Sequence, residues 1–137
     1  MTAMKAAEVN AFLEEIAPGT TDFYVVEEVG DRTARSRMLF TPDRLRPGGI
    51  VGGPSLMSLA DFAVWVALLG EIGPEPMTVT VSLNINFLKP VPPGDVIADT
   101  RLHKVGKRLA TGDVVMYADG DDEPAAQASV TYSVPQH

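Results

Sequence analysis

The run Pro54-Ser55-Leu56-Met57-Ser58-Leu59-Ala60-Asp61-Phe62-Ala63-Val64-Trp65-Val66-Ala67-Leu68-Leu69-Gly70 decides how this chain folds. It is long enough for a four-turn helix, with Pro54 suited to the first helical position and Gly70 to the C-cap. Between Ser55 and Leu69 the only polar side chains are Ser55, Ser58 and Asp61. A helix lying on one face of a sheet shows water a polar stripe, so a helix this apolar must be wrapped on nearly all sides. At about 100° per residue, Ser58, Asp61 and Trp65 fall within about 60° of one another, while Leu56, Leu59, Ala63 and Val66 crowd the opposite side. One stripe is apolar core; the other is a carboxylate flanked by a hydroxyl and an indole. A carboxylate there costs free energy unless it is solvated, paired or hydrogen-bonded. Asp61 is therefore either bonded to Ser58 or to neighbouring backbone, or it is an acid/base or nucleophilic group in a cleft.

Upstream, Pro47-Gly48-Gly49-Ile50-Val51-Gly52-Gly53 brings backbone to the helix start without side-chain bulk. Free N–H groups at a helix N-terminus attract an anion, which makes this an oxyanion-hole candidate. It is not a Walker A loop, because the required Lys and Ser/Thr do not follow, nor a Rossmann turn, because no parallel strand–turn–helix unit surrounds it.

Further out, Val9, Phe12, Leu13 and Ile16 recur at helical spacing and predict an amphipathic helix over 2–17, ended by Pro18-Gly19. Phe23 to Val29 and Thr33 to Phe40 read as a β-hairpin around Gly30-Asp31. After Gly73 to Pro76, Val79, Val81, Leu83, Ile85 and Phe87 alternate with Thr78, Thr80, Ser82, Asn84 and Asn86, predicting a strand with one buried face. Asp95 to Val105, Leu109 to Tyr117 and Ala125 to Val134 are three further strands, the last preceded by the acidic turn Asp119 to Glu123. The order α, β, β, α, β, β, β, β, with no repeat or linker, predicts a single α+β domain: a mostly antiparallel sheet around one central helix over 54–70.

Composition narrows the chemistry. The chain has 137 residues, 45% of them apolar, and a formal charge of −7 from 18 acidic and 11 basic residues. That charge disfavours general attraction to nucleic acid or an anionic membrane. No run of about 18 apolar residues is expected to span a bilayer, and the N-terminus lacks a signal-peptide pattern, so a cytoplasmic protein is expected. The absence of cysteine excludes disulfides and thiolate chemistry. Of the two histidines, His137 ends the chain and His103 adjoins Lys104 on a strand, where it reads as a surface residue. The acidic turn lacks the length and spacing of a calcium loop and reads as solvated. No metal is expected.

Gly52-Gly53-Pro54-Ser55-Leu56-Met57-Ser58-Leu59-Ala60-Asp61, followed by Asn84-Ile85-Asn86-Phe87-Leu88-Lys89-Pro90 and Gly94-Asp95, resembles the hotdog-fold acyl-CoA thioesterases of the PaaI (phenylacetyl-CoA thioesterase) type. The resemblance spans roughly residues 20 to 135. It implies a sheet wrapped around one long helix, a homo-oligomer (a dimer, or a dimer of dimers) with each cleft shared between subunits, and acyl-CoA as substrate with no separate cofactor. In the family the helix is preceded by His-Gly-Gly, and the carboxylate stands in Leu-Ala-Asp. The Asp maps onto Asp61 and the first Gly onto Gly53, but the His position holds Gly52. What remains is the Gly53 amide and the helix dipole as electrophilic help, with Asp61 activating water or attacking to give a mixed anhydride.

The expected site set is thus Asp61 and Gly53 as catalytic groups, with Gly52, Ser58, Phe62, Trp65 and Asn86 about the substrate. Lys89, Lys104, Lys107 and Arg108 are the expected cations for the CoA phosphates. Two rivals stand beside hydrolysis: a hotdog protein that binds acyl groups or CoA without turnover, motivated by Gly52, and a hydratase or dehydratase, for which only His103 is at hand.

Overall fold

A computed structural model describes residues 2–136. In chain order the elements are α1 (Ala6–Ile16), β1 (Tyr24–Gly30), β2 (Thr33–Met38), a small hairpin of β3 (Leu45–Arg46) and β4 (Ile50–Val51), α2 (Gly53–Ile72), β5 (Val79–Phe87), β6 (Val96–Val105), β7 (Leu109–Ala118) and β8 (Ala126–Ser133). Six strands form one antiparallel sheet in the order β1-β2-β6-β7-β8-β5. It wraps α2, whose Leu59, Ala63, Val64, Val66 and Leu68 are fully buried. Inward alanines at 98, 110, 126 and 128 let the strands approach the helix closely.

The apolar run becomes a longer helix than its sequence suggests. Gly53 is its first residue and Pro54 its second, and it passes Gly70 to end at Gly73, whose φ of 90° suits glycine. Gly70 is therefore not the cap. It is a packing residue: a Cβ there would lie 2.6 Å from Val29 Cγ1. Extended at both ends, α2 is long and apolar enough to cross a membrane by length and composition, contrary to expectation; 56% of that apolar stretch is buried inside the protein, while Met57 stays 42% exposed.

The other ends shift for local reasons. Helix α1 starts at Ala6 rather than near Thr2, because the Ala3 N–H bonds the Gly70 carbonyl at 2.6 Å and Met4 is buried. Strand β2 stops at Met38: the Leu39 N–H turns to the Phe23 carbonyl (2.8 Å), and the Phe40 N–H to Asp95 Oδ1 (2.7 Å).

The largest departure is in β5, at the sheet edge. Thr80 stands opposite Tyr132 and Ser82 opposite Thr131, so Val81 is an extra, bulged residue. The expected alternation therefore breaks. Beyond the bulge, Leu83, Ile85 and Phe87 share a face with buried Val130, Ala128 and Ala126, but Thr80 joins that inner face, while Val79 and Val81 are 57% and 58% exposed. A uniformly apolar inner face and a polar outer face containing Thr80 are both corrected by this single inserted residue.

Candidate functional site

The glycine-rich loop is fastened at both sides. The Gly52 N–H bonds the Arg44 carbonyl (2.8 Å), and the Val51 N–H bonds the Val91 carbonyl (2.9 Å). In the first turn of α2 the Ser55 and Leu56 amides both return to the Gly52 carbonyl, and Pro54 has no N–H. That leaves the Gly53 amide without a hydrogen-bond partner among the described residues, at the positive end of the helix dipole. Gly53 lines a groove of about 460 Å³ together with Arg46, Ile50, Leu56, Phe87 and Lys89. A Cβ at 53 would meet the Phe87 ring at 3.2 Å, a contact that a small shift of this half-exposed ring relieves. Position 52 differs: its φ of −71° and ψ of 152° are ordinary extended backbone, and its nearest neighbour to a Cβ is 3.5 Å away. Backbone geometry does not forbid a side chain at the position where the sequence resemblance implies a histidine.

Asp61 lies eight residues further along α2, about 12 Å along its axis. Its Oδ1 accepts two hydroxyls, Thr80 Oγ1 at 2.6 Å and Tyr132 Oη at 2.7 Å. The same Tyr132 oxygen lies 2.8 Å from the Asp61 carbonyl. Oδ2 has no hydrogen bond among the described residues, and Asp61 is half-buried. Tyr132 is buried, and burial, reinforced by the Asp61 carboxylate, pushes its phenol well above the ordinary tyrosine range. Ser58 is exposed and makes no bond to Asp61 among the described residues, so the local partner expected from sequence is replaced by two distant ones.

Thr80 and Tyr132 are the residues that sequence reasoning missed. The bulge hid Thr80. Tyr132 did carry a signal: it shares the inward parity of Ala128 and Val130, and a buried tyrosine needs a partner for its hydroxyl.

The remaining expected residues divide. Trp65, one turn from Asp61, is half-buried, with Nε1 enclosed and without a hydrogen-bond partner among the described residues. Phe62 turns away from Asp61 and stacks on Tyr24, ring centroids 4.6 Å apart. Asn86 lies on the outer sheet face and donates to Gln127 (3.1 Å). Lys89 reaches the Gly53 groove, but Asp121 at 2.5 Å and Glu123 at 3.5 Å hold it, and Asp121 raises its pKa. The acidic turn is thus ion-paired rather than merely solvated, with Asp119 bound to Arg37 at 2.9 Å.

Lys104, Lys107 and Arg108 gather at the β6–β7 turn, lining a groove of about 550 Å³, and none is in an ion pair among the described residues. This turn is anchored by the Val134 N–H on the Arg108 carbonyl (2.8 Å). Since Ala110 pairs with Tyr132, it lies at the Asp61 end of the sheet, whereas Lys89 follows Phe87 at the Gly53 end. The four cations therefore form no single cluster. His103 lies 2.9 Å from Asp113, which also accepts Ser129 at 2.8 Å and is held below the usual carboxylate range by the His103 hydrogen bond. His137 lies outside the described residues.

A family model described as the thioesterase superfamily matches residues 48–125, from the glycine-rich loop through α2 to the turn before β8. The chain belongs to the thioesterase superfamily. It is 30% identical over 131 residues to a Saccharolobus solfataricus protein named a "putative esterase", covering 96% of this chain and 86% of that one. The crystal structure of a "putative thioesterase" from Silicibacter sp. TM1040 superposes with a TM-score of 0.91 at 31% identity, covering 99% and 95% of the two chains. A mutant of the phenylacetic acid degradation protein PaaI from Thermus thermophilus matches with a TM-score of 0.71 at 21% identity, over 91% and 99% of the chains, a likeness of fold alone. The sheet wrapped around α2 is the hotdog fold of this superfamily.

Proposed function

We propose that the protein hydrolyses acyl-CoA thioesters to a free acid and CoA. The observation that carries this reading is Asp61, with Oδ1 held by two hydroxyls and Oδ2 open, on a helix whose first amide is unpartnered. The amide and the dipole would stabilise the oxyanion. Asp61 either takes a proton from the attacking water and passes it to the departing CoA sulfur, or attacks the carbonyl carbon itself, expelling CoA thiolate and leaving a mixed anhydride that water hydrolyses to the free acid and the Asp61 carboxylate, the released proton matching the thiolate.

Distance decides how these groups combine. Reacting atoms must stand about 3–3.5 Å apart, and an oxyanion donor acts at about 3 Å. Groups about 12 Å apart along one helix do not meet at one carbonyl. A second copy resolves this. Strand β5 is a nine-residue sheet edge with no charged residue, and Val79, Val81 and Phe87 on it are more than half exposed. Such an edge invites another strand. Two copies of β5 paired antiparallel about a two-fold axis set the Thr80 end of one against the Phe87 end of the other, and so the Asp61 of one chain near the Gly53 of its partner. The reading is a homodimer with two shared sites, in which Lys104, Lys107 and Arg108, in no ion pair among the described residues, meet the CoA phosphates.

Gly52, in place of an imidazole, supports a second reading in which acyl-CoA is bound without turnover. A hydratase is disfavoured, because His103 is tied to Asp113 on the outer sheet face. A panel of acyl-CoA esters, followed for free-thiol release and in parallel for binding by calorimetry, separates the readings. Turnover of at least one ester supports hydrolysis; binding across the panel with no thiol release supports the second reading.

A further inference from the structure

We infer that Tyr132, with Thr80, is a positioning residue that occupies Asp61 Oδ1 and thereby dedicates Oδ2 to the reacting centre. The inference rests on the proposed role of Asp61 and adds which of its oxygens acts and what holds it. A free carboxylate offers about four lone-pair directions and rotates about its Cβ–Cγ bond. Here two hydroxyl donors converge on one oxygen at 2.6 and 2.7 Å, which fixes that rotation. The Tyr132 oxygen also lies 2.8 Å from the backbone carbonyl of the same residue, tying side chain and helix to one point.

The support behind that point is stiff. Tyr132 is paired on both sides, to Thr80 across β5 and to Ala110 across β7, and is only 5% exposed. Burial and the adjacent carboxylate keep its phenol protonated, so it remains a donor and does not serve as the acid or base itself. Thr80 reaches Asp61 only because the bulge at Val81 turns it inward. Bulges of this kind re-aim a side chain at the cost of one ladder pair. Together the two hydroxyls pre-organise the carboxylate before substrate arrives, which removes a reorientation from the barrier.

The test uses the full-length protein and an acyl-CoA ester that it turns over. Tyr132→Phe keeps the ring and deletes the donor; kcat is expected to fall on the order of 10- to 100-fold, the scale of a small misplacement, with KM within about twofold. Thr80→Val, nearly isosteric, is expected to lower kcat in the same way, and Thr80→Ser, which restores a hydroxyl, to recover it. A role through Asp61 also predicts that Tyr132→Phe costs nothing further in an Asp61→Asn background. A kcat for Tyr132→Phe within twofold of the unaltered protein, a rise in KM at constant kcat, or an equal loss in the Asp61→Asn background would each overturn the inference. If Tyr132→Phe does not fold, the Thr80 pair decides alone: equal activities of the Val and Ser variants overturn it. Full activity of Asp61→Asn would instead remove the underlying reading, whereas an inactive Asp61→Asn beside a fully active Tyr132→Phe removes only the positioning role.

Discussion

Replacing Gly53 with proline deletes one hydrogen-bond donor and little else. Gly53 is the first residue of α2, the position where proline is most at home in a helix. Its amide has no intramolecular partner to lose among the described residues. The preceding Gly52 already holds φ −71° and ψ 152°, the extended region required before proline. The one steric cost is the Phe87 ring, 3.2 Å from the new Cβ, and Phe87 is half exposed and free to yield. Gly53→Ala meets the same ring while keeping the N–H, so the ratio of the two variants isolates the donor. Loss of a single oxyanion donor is worth about 10²–10³ in kcat, or about 2.7–4 kcal/mol. The assay is thiol release from a turned-over acyl-CoA at saturating substrate, with thermal melting as the check on folding. Gly53→Pro is expected to fall two to three orders of magnitude below Gly53→Ala, on the same scale of about 10²–10³. A folded Gly53→Pro within threefold of Gly53→Ala would refute the assignment of this amide.

Further outcomes follow from the same geometry. Mixing Gly53→Pro and Asp61→Asn chains through unfolding and refolding makes heterodimers half of the population, each with one intact site, so about a quarter of the unaltered activity returns; a site contained in one chain would leave the mixture inactive. Gly70→Ala sets a Cβ 2.6 Å from Val29 Cγ1, a clash at the upper part of the overpacking range, about 2–3 kcal/mol; less about 1 kcal/mol of helix propensity, the net destabilisation is about 1–2 kcal/mol. Calorimetry should then show Tm lower by about 3–8 °C, largely restored by adding Val29→Ala; an unchanged Tm contradicts the packing role. Replacing Lys107 and Arg108 together by alanine is expected to raise KM for acyl-CoA by about 2- to 10-fold at constant kcat, with the difference shrinking in high salt. An unchanged KM places the phosphates elsewhere.

The helix was legible because its apolar pattern has one physical solution, burial against a sheet, and the strands that supply that sheet stand out as β-branched and aromatic runs between turn residues. Asp61 stood out for the same reason. Its real partners did not, because one inserted residue reverses the face of Thr80, and sequence carries no mark of a bulge at Val81. Gly70 was misread as a cap because a glycine required by a close neighbour looks the same in sequence as one required by a turn; only Val29 distinguishes them. Lys89 was read as an open cation because its neutralising partner, Asp121, lies 32 residues away across the sheet. Phe62 and Trp65 share one apolar run, and the stacking of Phe62 on Tyr24 depends on a strand whose placement the helix pattern alone does not fix.

The most direct measurement is steady-state thiol release by Asp61→Asn, at substrate saturating for the unaltered protein and with its fold verified by melting. Thioester hydrolysis through the Asp61 carboxylate predicts a kcat lower by about 10³-fold or more, on the scale of an essential acid, base or nucleophile, with acyl-CoA binding retained. A folded Asp61→Asn that turns over acyl-CoA at the unaltered rate contradicts it.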